Sequence, residues 1–83
     1  MDPRIADRLV LRALAGAETP LTLPGLHTAV ALDPDSASLQ PFGAQISAAL
    51  VRLLMSGEVD VEQDGVHLVY LLRHAHVGHG AVA

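Results

Sequence analysis

Apolar residues recur at helical spacing near the start of the chain. Projecting residues 3 to 15 at about 100° per residue separates them into two groups. The apolar arc contains Ile5, Ala6, Leu9, Val10, Ala13 and Leu14, and the opposite side contains Arg4, Arg8, Leu11 and Arg12. Asp2 and Pro3 are typical of a helix start, and Gly16 is typical of a helix end. The pattern predicts a first amphipathic helix.

A shorter helical segment follows a break in the pattern at Thr19 and Pro20. Residues 21 to 23 are too few for more than a turn or a brief edge strand, and Pro24 suits the first position of a helix. The residues of this second helix that would face the core are Leu26, Ala29 and Val30. Residues 33 to 41 contain two prolines and several turn-forming residues, which predicts a loop.

The third apolar pattern predicts a helix from about Phe42 to Ser56 that stops at Gly57. Its core stripe contains Phe42, Ile46, Leu50, Leu53 and Leu54. The residues on the opposite side are Ala44, Gln45, Ala48, Val51, Arg52 and Met55. Both sides are therefore rich in apolar residues, so the chemistry of the outward side decides which function is predicted.

Alternating apolar and polar residues then predict a β-hairpin. Residues 58 to 62 alternate, Asp64-Gly65 is a strong two-residue turn signal, and residues 66 to 72 return as a second strand. Pairing Gln63 with Val66 sets up the predicted register. The further pairs are Glu62 with His67, Val61 with Leu68, Asp60 with Val69, and Val59 with Tyr70. This register puts Val59, Val61, Leu68 and Tyr70 on one face.

Composition limits the chain to one small domain. It has 83 residues, 51% of them hydrophobic, and no cysteine, so a disulfide, a zinc finger and thiol catalysis are excluded. We expect a domain over residues 1 to 73 and a tail over residues 74 to 83. The N-terminus does not resemble a signal peptide and no apolar run is long enough to span a membrane, so we expect a soluble, cytoplasmic protein without a membrane partner.

The order of these elements resembles the winged helix-turn-helix superfamily, in particular its small bacterial regulators. The resembling stretches are ADRLVLRALAG, PLTLPGLHTAV and ISAALVRLLMSGEVDVEQDGVHLVYLL, in which RLLMSGEV looks like the transition from recognition helix to wing. They cover residues 3 to 72. The resemblance implies an α+β fold of three helices plus a C-terminal β-hairpin, the wing. It also implies that the third helix reads the major groove of DNA.

The charges only partly agree with a DNA-binding, transcription-regulator-like function. Five arginines and nine acidic residues give a net charge of −4, which disfavours binding to DNA through bulk electrostatics. Gln45 and Arg52 could contact base edges, each good bidentate contact being worth about 1–3 kcal/mol of discrimination. Phosphate contacts could come from Arg4, Arg8 and Arg12, which line one side of the first helix; alternatively they form a solvated face with Asp2 and Asp7 as local partners. The predicted wing turn carries Glu62 and Asp64, which phosphates would repel.

The competing function is a protein-interaction or dimerisation module. The candidate interface is Ala44, Ala48, Val51 and Met55 on the third helix, with Val69 and Leu71 on the hairpin. In another arrangement, the loop at 33 to 41 or the tail folds over the third helix and completes the core of the monomer. A basic neighbourhood around Arg52 would favour DNA, and an acidic or apolar neighbourhood would favour a protein partner, a homodimer included.

The remaining motifs indicate neither a cofactor nor an enzyme. His74, His76 and His79 have a spacing that can bring imidazoles onto a transition metal, but no carboxylate or cysteine completes the set, so we expect no physiological metal site. His27 is expected to be a surface or helix-packing residue. Asp33 and Asp35 look like turn residues. No phosphate loop, Ser-His-Asp pattern or paired catalytic carboxylates is recognisable.

Overall fold

The fold is α+β, with three α-helices followed by a two-stranded antiparallel hairpin. A computed structural model describes residues 3 to 73. The elements are α1 (Pro3–Gly16), α2 (Leu23–Ala31), α3 (Phe42–Ser56), β1 (Val59–Asp64) and β2 (His67–Leu72), with a short 3-10 helix at Pro34–Ser38. Within residues 3 to 73, no helix has the length and apolar character that crossing a membrane requires.

Local signals in the sequence set the ends of α2 and α3. The hydroxyl of Thr22 accepts a hydrogen bond from the Gly25 amide at 3.2 Å, which caps the first turn of α2. At the end of α3, Gly57 has a φ of 86°, a left-handed conformation that glycine adopts at little cost. Its amide donates to the carbonyls of Leu53 and Leu54. The predicted bounds of the third helix are confirmed.

One hydrophobic core joins the three helices to the base of the hairpin. The buried members of this core are Ala6, Leu9, Val10, Leu14, Leu26, Val30, Leu39, Ile46, Ala49, Leu50, Leu53 and Val59. The predicted core stripes are confirmed except that Ile5, Ala13 and Ala29 are only half-buried. Ala49 on α3 is added to the buried residues, and Leu11, predicted on the opposite side of α1, packs partly against the core. Phe42 and Leu54 are only half-buried at the margin. The buried side chains of α3 pack against α1, and this packing fixes the orientation of α3.

The segment at 33 to 41 is more ordered than the loop predicted for it. Asp33 caps the 3-10 helix, accepting a hydrogen bond from the Asp35 amide at 3.0 Å. Leu39, the residue after this helix, is buried in the core. The segment contacts α1 and α2. It therefore does not fold over the outer side of α3, and the arrangement in which it covers that side is wrong; the tail, the other predicted cover, lies outside the described residues.

The predicted hairpin register is wrong by two residues, which keeps each side chain on its predicted face. Asp64 pairs with His67, Val61 with Tyr70 and Val59 with Leu72. The two turn residues are thus Gly65 and Val66 rather than Asp64 and Gly65. Gly65 has a φ of 64°, and no other residue type in the described chain has a positive φ. A glycine alone in that conformation suits the first position of a type II′ turn, which explains the shift.

The residues that bury the hairpin also differ from the prediction. Val69, expected to face outward, is buried with 7% exposure, and Leu71 is half-buried. The cause is the segment before α2, because Leu21 forms a bridge to Tyr70 and carries Thr19 and Pro20 alongside β2.

The opposite face of the hairpin reaches past the helices. Val59, Val61, Leu68 and Tyr70 do share this face, as predicted, but Val61 and Leu68 are 45% and 56% exposed. All residues from 61 to 68 are exposed, and we call them the hairpin tip. Only the base of the hairpin belongs to the core.

Candidate interaction surface on the third helix

Four apolar residues on α3 face away from the core, and we call them the outer face. Val51 and Met55 are 53% and 84% exposed, and the alanines at 44 and 48 are exposed as well. Their spacings of four, three and four residues keep them on one side of the helix through three turns. None of them is charged. The predicted placement of these residues opposite the core stripe is confirmed, whereas a role in binding stays a prediction.

Arg52, the main candidate for reading a base, is engaged within the molecule. Its Nε donates to Oδ1 of Asp7 at 3.1 Å, and its Nη2 donates to the same oxygen at 2.6 Å. Asp7 belongs to α1, so this pair ties α1 to α3 on the flank of the outer face. The side chains are 41% and 26% exposed. The neighbourhood of Arg52 is therefore acidic, the condition set above for a protein partner.

Gln45, the second candidate for a base contact, lies near the start of α3 and is half-buried. Its Nε2 donates to the carbonyl of Gln40 at 3.4 Å, a long hydrogen bond. The amide could exchange that contact for another at small cost. On α3, then, the two candidates differ, since Gln45 is weakly held and Arg52 is held by a charged partner.

The arginines of α1 do not form a uniform basic stripe. Arg12 binds Asp33 at 2.9 Å and Asp35 at 3.2 Å. Asp7, one of the predicted local partners of the stripe, binds Arg52, and Asp2 lies outside the described residues. The hydrogen bonds to Asp35 and then to Asp33 raise the pKa of Arg12. Two carboxylates thus more than offset its charge and connect α1 to the 3-10 segment. Asp33 caps the 3-10 helix and Asp35 lies in its first turn, so Asp35 is not the loop-turn residue predicted, and both are ion-pair partners of Arg12, a role that the sequence did not indicate.

Arg4 and Arg8 are both exposed on α1. Arg8 lines a depression of about 220 Å³ together with Ile5, Leu9, Arg12, Asp35 and Ser38. That volume is below the roughly 300 Å³ at which ligand pockets usually begin. Any contact of these two arginines with phosphates remains a prediction.

The hairpin tip is acidic as predicted, although its charges are not paired as expected. His67 lies opposite Asp64, and Glu62 lies opposite Val69. Both carboxylates are exposed. At the base, Arg73 donates from Nε to Oδ1 of Asp60 at 3.0 Å, and this hydrogen bond lowers the pKa of Asp60 and raises that of Arg73. The tip therefore presents negative charge, whereas the charge of Asp60 at the base is paired with Arg73.

His27 packs between helices, as predicted. Its ring meets Phe42 edge to face, with the ring centroids 6.0 Å apart and the planes at 70°. Its Nε2 is buried and has no hydrogen-bond partner among residues 3 to 73. Within the same range, no three His, Cys, Asp or Glu residues are grouped so that they could hold a metal ion. His74, His76 and His79 lie outside the described residues.

Sequence reasoning missed two exposed apolar residues and the role of Asp7. Leu32 at the end of α2 is 81% exposed, and Val66 in the hairpin turn is 90% exposed. Both residues lie where an element ends, so the periodicity of the sequence did not predict whether they would be exposed. Asp7 was seen only as a neighbour of the α1 arginines, because a contact over 45 residues of sequence has no local signal.

Comparisons with known proteins found no match for this chain. No protein-family model matches the chain, and neither the curated proteins nor the solved structures gave a match. The geometry of the described residues is therefore the basis for the function proposed below.

Proposed function

We propose that this chain is a protein-interaction module with the layout of a winged helix, and that it binds a second copy of itself through the outer face of α3. The observation that carries the proposal is the uncharged apolar outer face, exposed through three turns, beside an Arg52 that Asp7 already holds. Removing such a surface from water is favourable, at about 25 cal/mol per Å² of apolar area.

The order of small and large side chains on the outer face supports a second copy as the partner. If two α3 helices pack antiparallel about a two-fold axis, Ala44 faces Met55 of the second copy and Ala48 faces Val51. Both pairs are centred on the same point, between residues 49 and 50. A small residue then meets a larger one at every contact, which is how closely packed layers interdigitate. Two-fold symmetry requires this kind of self-complementary surface.

The dimer should be weak. Stable protein interfaces bury about 800 Å² per partner, and four residues, two of them alanines, cover less than that. We therefore expect dissociation constants in the range of about 10 µM to 1 mM, so that the monomer and the dimer exchange at ordinary concentrations.

Recognition of DNA by α3 is the competing function. It would require Arg52 to leave Asp7, and it would bring Glu62 and Asp64 of the hairpin tip towards phosphates if the hairpin acts as a wing. The remaining outward residues of α3 provide mainly apolar contacts. These costs make DNA the less favoured alternative, and the experiment below includes a test of it.

The proposal is tested by sedimentation from about 10 µM to 1 mM protein, the range that brackets the expected affinity. The mass of the wild-type chain should rise with concentration, and Val51→Glu should keep it monomeric because the dimer would bury two unpaired carboxylates. Leu32→Glu is the matched control, since Leu32 is more exposed than Val51 but follows the last residue of α2, away from the outer face. A wild-type monomer at every concentration, or equal effects of both variants, would overturn the proposal.

DNA binding is measured in parallel at about 50 and 200 mM salt, with a mixed duplex pool and an Arg52→Ala variant. Binding that falls steeply with salt and is lost in the variant would establish DNA recognition instead. Circular dichroism of each variant confirms that it is folded.

Cysteine crosslinking tests the antiparallel geometry, because the natural chain has no cysteine. A mixture of an Ala48→Cys chain and a Val51→Cys chain should oxidise to a mixed disulfide faster than either chain oxidises with itself. Parallel packing would instead favour a disulfide between two Ala48→Cys chains. No crosslink above the rate of a Leu32→Cys control would contradict both geometries.

A further inference from the structure

The second exposed feature of this protein is a strand edge rather than a helix face. The sheet has the order β1-β2, and on the far side of β2 lies Leu21, bridged to Tyr70. Within the described part of the chain, no strand lies along the other edge of β1. Unpaired main-chain groups at such an edge are a template for adding another strand.

The hydrogen bonds around Tyr70 identify the free main-chain groups of β1. Tyr70 donates to the carbonyl of Leu21 at 2.7 Å and accepts from its amide at 3.0 Å, so both of its groups point away from β1. Val61, which lies opposite Tyr70, must then turn its own amide and carbonyl away from β2. By the alternation of an antiparallel ladder, Gln63 does the same. In contrast, the groups of Glu62 point towards β2.

The side chains along this edge have different chemistry on the two faces. On one face, the exposed carboxylates of Glu62 and Asp64 stand two residues apart. On the other face, β1 contributes Val61 and Gln63, and Leu68 of β2 lies opposite Gln63 and diagonal to Val61. An added strand would therefore meet negative charge on one face and an uncharged face with aliphatic groups on the other.

The charges disfavour a second copy of β1 as an antiparallel added strand. Residues 60, 62 and 64 are all acidic and share one face. In an antiparallel pair of two β1 strands, cross-strand neighbours lie on the same face, so every register would place an acid against an acid. Like charges in those positions are destabilising. The complementary occupant has basic residues at alternate positions.

We infer that the free edge of β1 binds an extended peptide segment of a partner protein, in which arginine or lysine alternates with aliphatic residues. Main-chain hydrogen bonds to Val61 and Gln63 provide affinity, and the basic side chains pair with Glu62 and Asp64. The site is separate from the outer face of α3 and does not depend on self-association.

The test uses a labelled six-residue peptide of alternating arginine and valine, titrated by fluorescence anisotropy up to about 1 mM. The control peptide has the same composition with three arginines followed by three valines. The alternating peptide should bind more tightly. Replacing both carboxylates, Glu62→Gln with Asp64→Asn, should weaken binding by about fivefold, whereas Glu18→Gln, an exposed acid outside the hairpin, should leave it unchanged.

Amide hydrogen exchange by NMR locates the peptide. Exchange at Val61 and Gln63 should slow by about tenfold when the alternating peptide is added, and exchange at Glu62 should change little, since its amide is already in the ladder. A Val51→Glu chain should bind the peptide as well as the wild type does, which separates this site from the function proposed above. Equal binding of the two peptides, absence of protection at Val61, or no binding at about 1 mM would overturn the inference.

Discussion

The two sides of α3 are similar in composition and opposite in environment. The inner side contributes Ile46, Ala49, Leu50 and Leu53, all buried, while the outer face consists of two alanines, Val51 and Met55 and is exposed. Apolar character alone therefore does not decide which side of a helix is covered. What decides it is the neighbouring element: α1 packs on the inner side, and no element among residues 3 to 73 packs on the outer face. An uncovered apolar side is a candidate for binding another molecule.

The largest expected change in the free energy of unfolding comes from a substitution on the inner side of α3, and it tests the contrast between the two sides. Ile46→Ala should lower the free energy of unfolding by about 2–4 kcal/mol, because it leaves a cavity among fully buried side chains. Val51→Ala should change it by less than about 0.5 kcal/mol, since Val51 is more than half exposed in the monomer. Urea denaturation at low protein concentration measures both.

Ile46→Val provides a second measurement if Ile46→Ala does not fold, with an expected loss of about 1 kcal/mol. Equal losses for Ile46→Ala and Val51→Ala would mean that the outer face is covered in the monomer, and the contrast between the two sides would fail.

A smaller effect is expected at the margin of the covered side, where His27 meets Phe42. The buried Nε2 of His27 has no hydrogen-bond partner among the described residues, and such a group costs about 1–3 kcal/mol when no water reaches it. His27→Phe removes that nitrogen and keeps an aromatic ring, so the free energy of unfolding should rise by about 0.5–1 kcal/mol. His27→Ala is the control for lost packing and should lower it. A loss in both variants would show that the nitrogen is satisfied.

Much of this fold could be predicted from local sequence, and the exceptions have physical causes. The bounds of α3 follow from its apolar period and from Gly57, whose left-handed conformation ends the helix. The hairpin register failed because Asp64-Gly65 and Gly65-Val66 both fit a two-residue turn, and only the backbone shows that Gly65 comes first. Val69 was misplaced because the segment before α2, distant in sequence, runs beside β2 and brings Thr19 and Pro20 near Val69.

The candidate site was less predictable than the fold. Helical projection correctly placed Val51 and Met55 on the exposed side of α3. It also placed Arg52 outward, but it could not show that Asp7 is close enough to bind it, because that contact depends on how α1 crosses α3. The exposure of a side chain can be predicted from the periodicity of one helix. An ion pair between two helices can be predicted only when the relative positions of both helices are known.

The Arg52–Asp7 pair lies between the two sides of α3 and should have a modest effect. Its side chains are 41% and 26% exposed, so solvent screens much of the attraction, and we expect a coupling of about 0.5–1 kcal/mol. A double-mutant cycle with Arg52→Ala and Asp7→Ala measures this coupling by urea denaturation. A coupling near zero would mean that Arg52 is available for other contacts, which would strengthen the alternative of DNA recognition.

The smallest expected effect concerns the base of the hairpin, where Asp60 binds Arg73 while the tip remains open. The pKa of Asp60 is lowered in the folded chain, so its contribution to stability is present above its unfolded pKa of about 3.9 and is lost as the pH falls through the folded pKa. Asp60→Asn should therefore be less stable than the wild type at pH 7, and the difference should shrink as the pH falls below about 4. Glu18→Gln, the same change of acid to amide at an exposed position, should show no such convergence. Thermal unfolding of the three chains from about pH 7 to pH 2 decides the matter. An Asp60→Asn difference that stays constant over this range would show that the loss comes from packing at the hairpin base rather than from the charge of Asp60.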